Sequence, residues 1–194
     1  MRLIFSAVSL FSLIYTLPSD AKAQAIDLGN AVVIATQDTV PQQKATQLLL
    51  DEVRKRTSIT LKTQRTSPGS DVAIILGCPS AMPDGQVKLP KGVFVPKEAE
   101  GYALWVSDSA AGEVRIYVMG RDERGMLFGV GRLLRLLHMK ENSLTLDSGT
   151  RLSTAPANPI RGHQIGYRNT ANSYDAWSVD QYEQYFRDMV VFGT

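Results

Sequence analysis

Few residues of this chain could do chemistry, and most of those stand alone. Cys78 is the single cysteine in 194 residues, so no internal disulfide can form. In DVAIILGCPS it reads as a small packed residue after a strand rather than as a nucleophile. His138 and His163 are the two histidines. No His-Glu-x-x-His run joins them, and they are too isolated to build a zinc site. His138 falls near a helix C-terminus, where the dipole favours a surface imidazole. Gly120, Gly125, Gly129 and Gly131 match neither G-x-G-x-x-G nor G-x-x-x-x-G-K-[ST], which argues against a nucleotide loop. Neither a metal nor a cofactor is expected. The other candidates crowd into one stretch, NPIRGHQIGYRNTANSYDAWSVDQYEQYFRDMVVFGT (158–194). It holds Arg161, His163 and Arg168, the acids Asp175, Asp180, Glu183 and Asp188, and the aromatic Tyr167, Tyr174 and Trp177. An arginine's planar fork can clamp a carboxylate or a pair of hydroxyls.

The elements that must position these residues are legible upstream. AVVIATQD (31–38) is β-branched and reads as a buried strand. Pro41 then suits the first turn of a helix. In QQKATQLLLDEVRKRTS, Ala45, Leu48, Leu49 and Val53 fall on one helical face. ITLKTQR (59–65) alternates like a half-buried strand, and DVAIILG (71–77) reads as a fully buried one. Residues 79–96, with four prolines, form a loop. GYALWVSDSAAGEVRIYVMG (101–120) is a hairpin. In RDERGMLFGVGRLLRLL, one helical face carries Met126, Leu127, Val130, Leu133, Leu134 and Leu137. Glycine costs about 1 kcal/mol relative to alanine inside a helix, so Gly125 and Gly129 must admit a close neighbour. The order β-α-β-β-β-β-α predicts an α/β (α+β) fold, a mixed sheet with two helices packed on it.

Residues 1–23 stand apart from this pattern. A basic start, the apolar run LIFSAVSLFSLIYTL and the small-x-small sites around Ala21, Ala23 and Ala25 read as a secretory signal. The apolar run is shorter than the roughly 20 residues of a spanning helix, an uncleaved anchor being the alternative. The expected location is therefore periplasmic or secreted, with no membrane association after cleavage. Net charge is +2, and +1 without Arg2, Asp20 and Lys22. That balance offers no footprint for nucleic acid.

The hairpin and helix carry a resemblance. Glu100-Gly101-Tyr102, Asp122, Gly125, Phe128, Gly129, Leu133, Leu134 and Leu137 fit a pattern of E-G-Y, an acidic residue, then G-x-x-[FY]-G opening a Leu-rich helix. This resembles the N-terminal accessory domain of glycoside hydrolases, those of the family 20 β-N-acetylhexosaminidases and family 67 α-glucuronidases. The resemblance implies a non-catalytic α/β domain, related in fold to zinc proteases without their chemistry. It also implies a catalytic (β/α)8 barrel downstream.

The implied organisation is a signal (1–23), an accessory domain (24–152), a linker (153–159) and the first β/α unit of an incomplete barrel (160–194). In that unit IRGHQIGY (160–167) is the strand, NTANSYDAW (169–177) the loop and SVDQYEQYFRDMVVFG (178–193) the helix. Ser178 is its N-cap, and Tyr182, Tyr185, Phe186, Met189, Val190 and Phe192 form a side meant for burial. A barrel takes about 250 residues, and its catalytic carboxyl pair would lie on later strands, so this chain is expected to be inactive alone. Arg161-Gly162 matches the family 20 motif whose arginine contacts sugar hydroxyls. Arg168 sits at the strand's C-terminal end, where barrel sites form, and His163 faces either a barrel interior or a core. Arg161, Arg168 and His163 are thus the substrate-binding candidates. After Arg161-Gly162 the run HQIGYRNT lacks the family's usual Leu-Asp and Arg-His, which leaves the sugar open. The partners implied are a carbohydrate and the remaining barrel. The alternatives are a free-standing carbohydrate-binding module, which would need an aromatic platform from Trp105 or Trp177, and a structural domain bracing a partner.

Overall fold

The computed structural model describes residues 24–65, 71–81, 89–108, 112–164 and 176–193. Its centre is a six-stranded mixed sheet. Strands β2 (Val32–Ala35), β3 (Lys62–Gln64), β4 (Val72–Gly77) and β6 (Val114–Gly120) run parallel in the order β3-β2-β4-β6. Antiparallel β5 (Tyr102–Asp108) continues the sheet beside β6, and antiparallel β9 (Arg151–Thr154) closes it. A small second sheet joins β1 (Ala25–Asp27), β8 (Ser143–Asp147) and β7 (His138–Lys140). The fold is α/β (α+β), as the order of elements predicts.

Helix α1 (Val40–Thr57) starts where expected. Thr39 caps it by accepting from the Gln42 amide, Pro41 occupies the first turn, and Ser58 ends it in the left-handed conformation (φ 60°). Ala45, Leu48, Leu49 and Val53 are all buried. Helix α2 (Glu123–Leu136) opens on Asp122, whose carboxylate accepts from the Gly125 amide at 2.8 Å. Both helices cover one sheet face, where Val33, Ile74, Leu76, Leu104, Ile116 and Val118 meet Leu49, Met126, Val130 and Leu133. The other face is smaller: Ile34, Ala73, Ile75, Tyr117 and Met119, packed against Leu89, Val95 and Trp105. The proline-rich loop therefore covers a sheet face.

Three expectations change. Residues 62–64 are all exposed rather than half-buried, because β3 is an edge strand; the alternation reaches the core only before it, at Ile59 and Leu61. The linker's first two residues, Ser153 and Thr154, belong to β9, paired with Ala103 and Tyr102. Residues 160–164 form no strand, and Ile160 is 90% exposed. A strand needs a neighbour to bond its backbone, and no described strand lies beside them.

The final helix α3 (Val179–Phe192) has the expected Ser178 cap, here a full capping box with Gln181. Its apolar side, of a kind meant for burial, is left open here. None of its residues is buried, and Val179, Phe186 and Phe192 are exposed. α3 lies instead along α2 and α1. Val190 and Val191 touch the main core, and Arg187 Nη1 reaches Asp51 Oδ2 of α1 at 3.2 Å. Lys55 Nζ donates to Gln184 Oε1 at 2.8 Å.

Candidate functional site

Two chain reversals bring distant residues together at the entry to β5. Glu100 turns the chain with φ 63°, a conformation that costs a non-glycine residue about 1–3 kcal/mol. The surroundings fix it there. Its amide donates to Asp122 Oδ2 at 2.8 Å, while Asp122 Oδ1 caps α2. The Arg121 amide donates to the Gly101 carbonyl at 2.7 Å. A Cβ on Gly125 would lie 2.3 Å from that same oxygen, and one on Gly129 2.8 Å from Val118 Cγ1. These two glycines therefore seat α2 on the sheet, the close approach that their helical cost implied.

The Glu100 side chain, 10% exposed, holds two arginines. Oε1 pairs with Arg124 of α2 at 2.6 Å, and Oε2 with Arg161 at 2.5 Å. Every nitrogen of the Arg161 guanidinium is engaged. Nη2 binds Glu100, Nε donates to the Gly193 carbonyl at 2.7 Å and Nη1 to the Asn158 carbonyl at 2.8 Å. The guanidinium carbon also lies 5.3 Å from the centre of the Phe128 ring, within cation–π reach. Arg161 stands out in the sequence, but its partner does not. Glu100 is visible there only as part of a motif, and a contact across 61 residues leaves no local pattern.

His163 is exposed and lies 5.7 Å from the Tyr185 ring. Trp177 meets Tyr182 and Tyr185 edge-on at 5.4 and 5.3 Å. Arg168, Tyr167, Tyr174 and Asp175 lie outside the described residues. The acids of α3 have local partners: Glu183 binds Arg187, and Asp188 accepts from Gln184. Asp180 sits in the first turn, where the helix dipole favours it. Trp105 has Arg151 5.2 Å from its ring and the Gly92 segment against it, so it presents no free platform. Cys78 is buried, and burial, reinforced by the nearby Glu123 and Asp122 charges, pushes its thiol up to about 11. A thiol held neutral is a poor nucleophile. His138 opens β7, with Nε2 3.6 Å from Asp147 Oδ1. Among the described residues no cluster of His, Cys, Asp or Glu could hold a metal, and no helix is long and apolar enough to cross a membrane.

The family match places this mixed sheet, with two helices on one face and the Glu100–Asp122 turn locking β5 to α2, among the accessory domains of glycoside hydrolases. The chain belongs to the family described as glycosyl hydrolase family 20, domain 2, whose model matches residues 18–155. Among solved structures, the chain is similar to a family GH115 4-O-methyl-α-glucuronidase with specificity for decorated arabinogalactans. The identity is 19% and the TM-score 0.56, over 88% of this chain and 25% of that one. It is more distantly similar to CpGH84B (23% identity, TM-score 0.40, 70% of this chain and 21% of that one). A Streptomyces plicatus β-hexosaminidase is 20% identical with TM-score 0.34, over 63% of this chain and 22% of that one. The chain thus spans about a quarter of the length of these proteins. No curated protein matches.

Proposed function

We propose that this chain is the non-catalytic N-terminal portion of an exported glycoside hydrolase. In this reading residues 24–154, which include β9, are the accessory domain, 155–159 the linker, and the residues after them the start of a catalytic (β/α)8 barrel. The observation that carries it is the family match over residues 18–155, succeeded by a capped helix seated on the matched domain. Glycoside hydrolysis usually takes two carboxyl groups flanking the scissile bond. The α3 acids have helix-surface partners, which supports inactivity of these residues alone. The substrate class is carbohydrate, and Arg168 and His163 are the proposed contacts. Arg161 is left out of these contacts, because Glu100, Gly193 and Asn158 already engage its guanidinium. The signal-like residues 1–23 support export, and the relation in fold to zinc proteases is part of the same proposal.

The test is made on the native product. An antibody against residues 24–155 is used to capture the protein from the exported fraction of the source cells. The captured protein is then assayed on chromogenic β-N-acetylhexosaminide and α-glucuronide. A band well above 21.3 kDa that hydrolyses either glycoside is the expected result. A cell-retained product, or an exported one no larger than 21.3 kDa, overturns the reading.

A further inference from the structure

We propose that Glu100 and Arg161 form a clamp by which the accessory domain holds its C-terminal segment, with Arg161 a positioning residue rather than a sugar ligand. Three observations converge. The guanidinium ties three separate chain segments into one point: Glu100 at the head of β5, the linker carbonyl of Asn158 and the C-cap carbonyl of Gly193. The pair is shielded, with side-chain exposures of 21% for Arg161 and 10% for Glu100. The receiving surface is shaped for its guest: Phe128 lies against the guanidinium, and a Cβ at Gly131 would lie 2.7 Å from Val191 Cα of α3.

The chemistry explains why an arginine is needed at this place. A helix ends with unsatisfied carbonyls, and at α3 the Gly193 carbonyl takes Arg161 Nε. Arg161 thus neutralises a shielded carboxylate with one edge and closes the helix end with another. A lysine has no planar fork and cannot reach three divergent acceptors in this way. Arg124, the other partner of Glu100, is 73% exposed, so solvent screens its charge more than that of Arg161, which is 21% exposed. Arg161 is therefore the more shielded cation at Glu100. A second set of contacts, Arg187 with Asp51 and Lys55 with Gln184, holds the middle of α3 to α1. The clamp fixes its C-terminal end.

The experiment is hydrogen exchange with mass-spectrometric readout on the whole chain, as wild type and as Arg161→Ala, Arg161→Lys, Arg124→Ala and Glu100→Gln. Arg161→Ala should speed exchange across 179–193 at least about tenfold, since it removes the donors to the Gly193 and Asn158 carbonyls and leaves Glu100 only its solvent-exposed partner Arg124. The amides of β4 and β6 should stay as protected as in wild type. Arg161→Lys should recover only part of the loss, and Arg124→Ala should change α3 little. Glu100→Gln should reproduce the Arg161→Ala pattern in α3, and the pair together should add little to either single change. Because Arg161 lies outside the core, its variants stay informative if Glu100→Gln fails to fold. Unchanged exchange of α3 in Arg161→Ala overturns the clamp, and so does full rescue by lysine. Neither result depends on whether the native protein hydrolyses a glycoside.

Discussion

Replacing Gly131 with alanine should stabilise one helix and loosen another. Inside a helix, alanine is favoured over glycine by about 1 kcal/mol, so α2 on its own gains. The added Cβ would lie 2.7 Å from Val191 Cα, 2.8 Å from the Val191 carbonyl oxygen and 3.0 Å from that of Val190. Carbon atoms pack best at roughly 3.5–4.0 Å, so α3 must retreat by about 1 Å. The obstructing atoms are backbone and cannot rotate aside. Overpacking of this kind costs about 1–3 kcal/mol, and here it falls on the docking of α3, none of whose residues is buried. The retreat also stretches the Arg187–Asp51 contact, already 3.2 Å. Site-resolved hydrogen exchange separates the two effects. The α3 amides should exchange roughly five- to a hundredfold faster, while α2 and the strands beneath it hold or gain protection. Unchanged α3 exchange in Gly131→Ala would show that the notch does not seat this helix. A parallel loss in α2 would refute the propensity argument.

Two further outcomes are expected from the same core. Asp122→Ala should cost about 2–4 kcal/mol in urea denaturation, because one carboxylate both caps α2 and satisfies the strained Glu100 amide. Asp122→Asn should lose part of that, since the amide nitrogen offers a donor where one of the two acceptors stood, and equal loss in both variants would contradict the double role. Cys78 gives an alkaline limit: its thiol is pushed from 9.0 to about 11 in the fold. The unfolded chain releases this proton first, so the contribution is whole below pH 9.0 and is lost as pH rises through about 11. The loss amounts to about 2–3 kcal/mol. Burial also pushes up Tyr102 and Tyr117, so the comparison is with Cys78→Ala, which should lose less stability over that window; identical curves would remove Cys78 as the cause.

Local periodicity decided which elements were legible in the sequence. The α1 face, the buried β4 run, the 101–120 hairpin and the α2 face all show in neighbouring residues, and each is where the pattern put it. The small sheet was not read, because β1 and β7 have three residues each and become strands only by pairing with β8. The same limit explains the site. Arg161 could be picked out as an arginine in a motif, but its work depends on Glu100, Asn158 and Gly193, and two of these contacts cross 61 and 32 residues. The glycines of α2 show how such contacts still leave a trace. Gly125, Gly129 and Gly131 violate helix propensity in a helix that forms nonetheless, and each marks a neighbour too close for a side chain. Gly125 and Gly129 meet the β5–β6 hairpin, whereas Gly131 meets α3. A costly glycine facing α3 is useful only if that helix is seated there, so the surface of this domain is shaped as much by its C-terminal neighbour as by its own core.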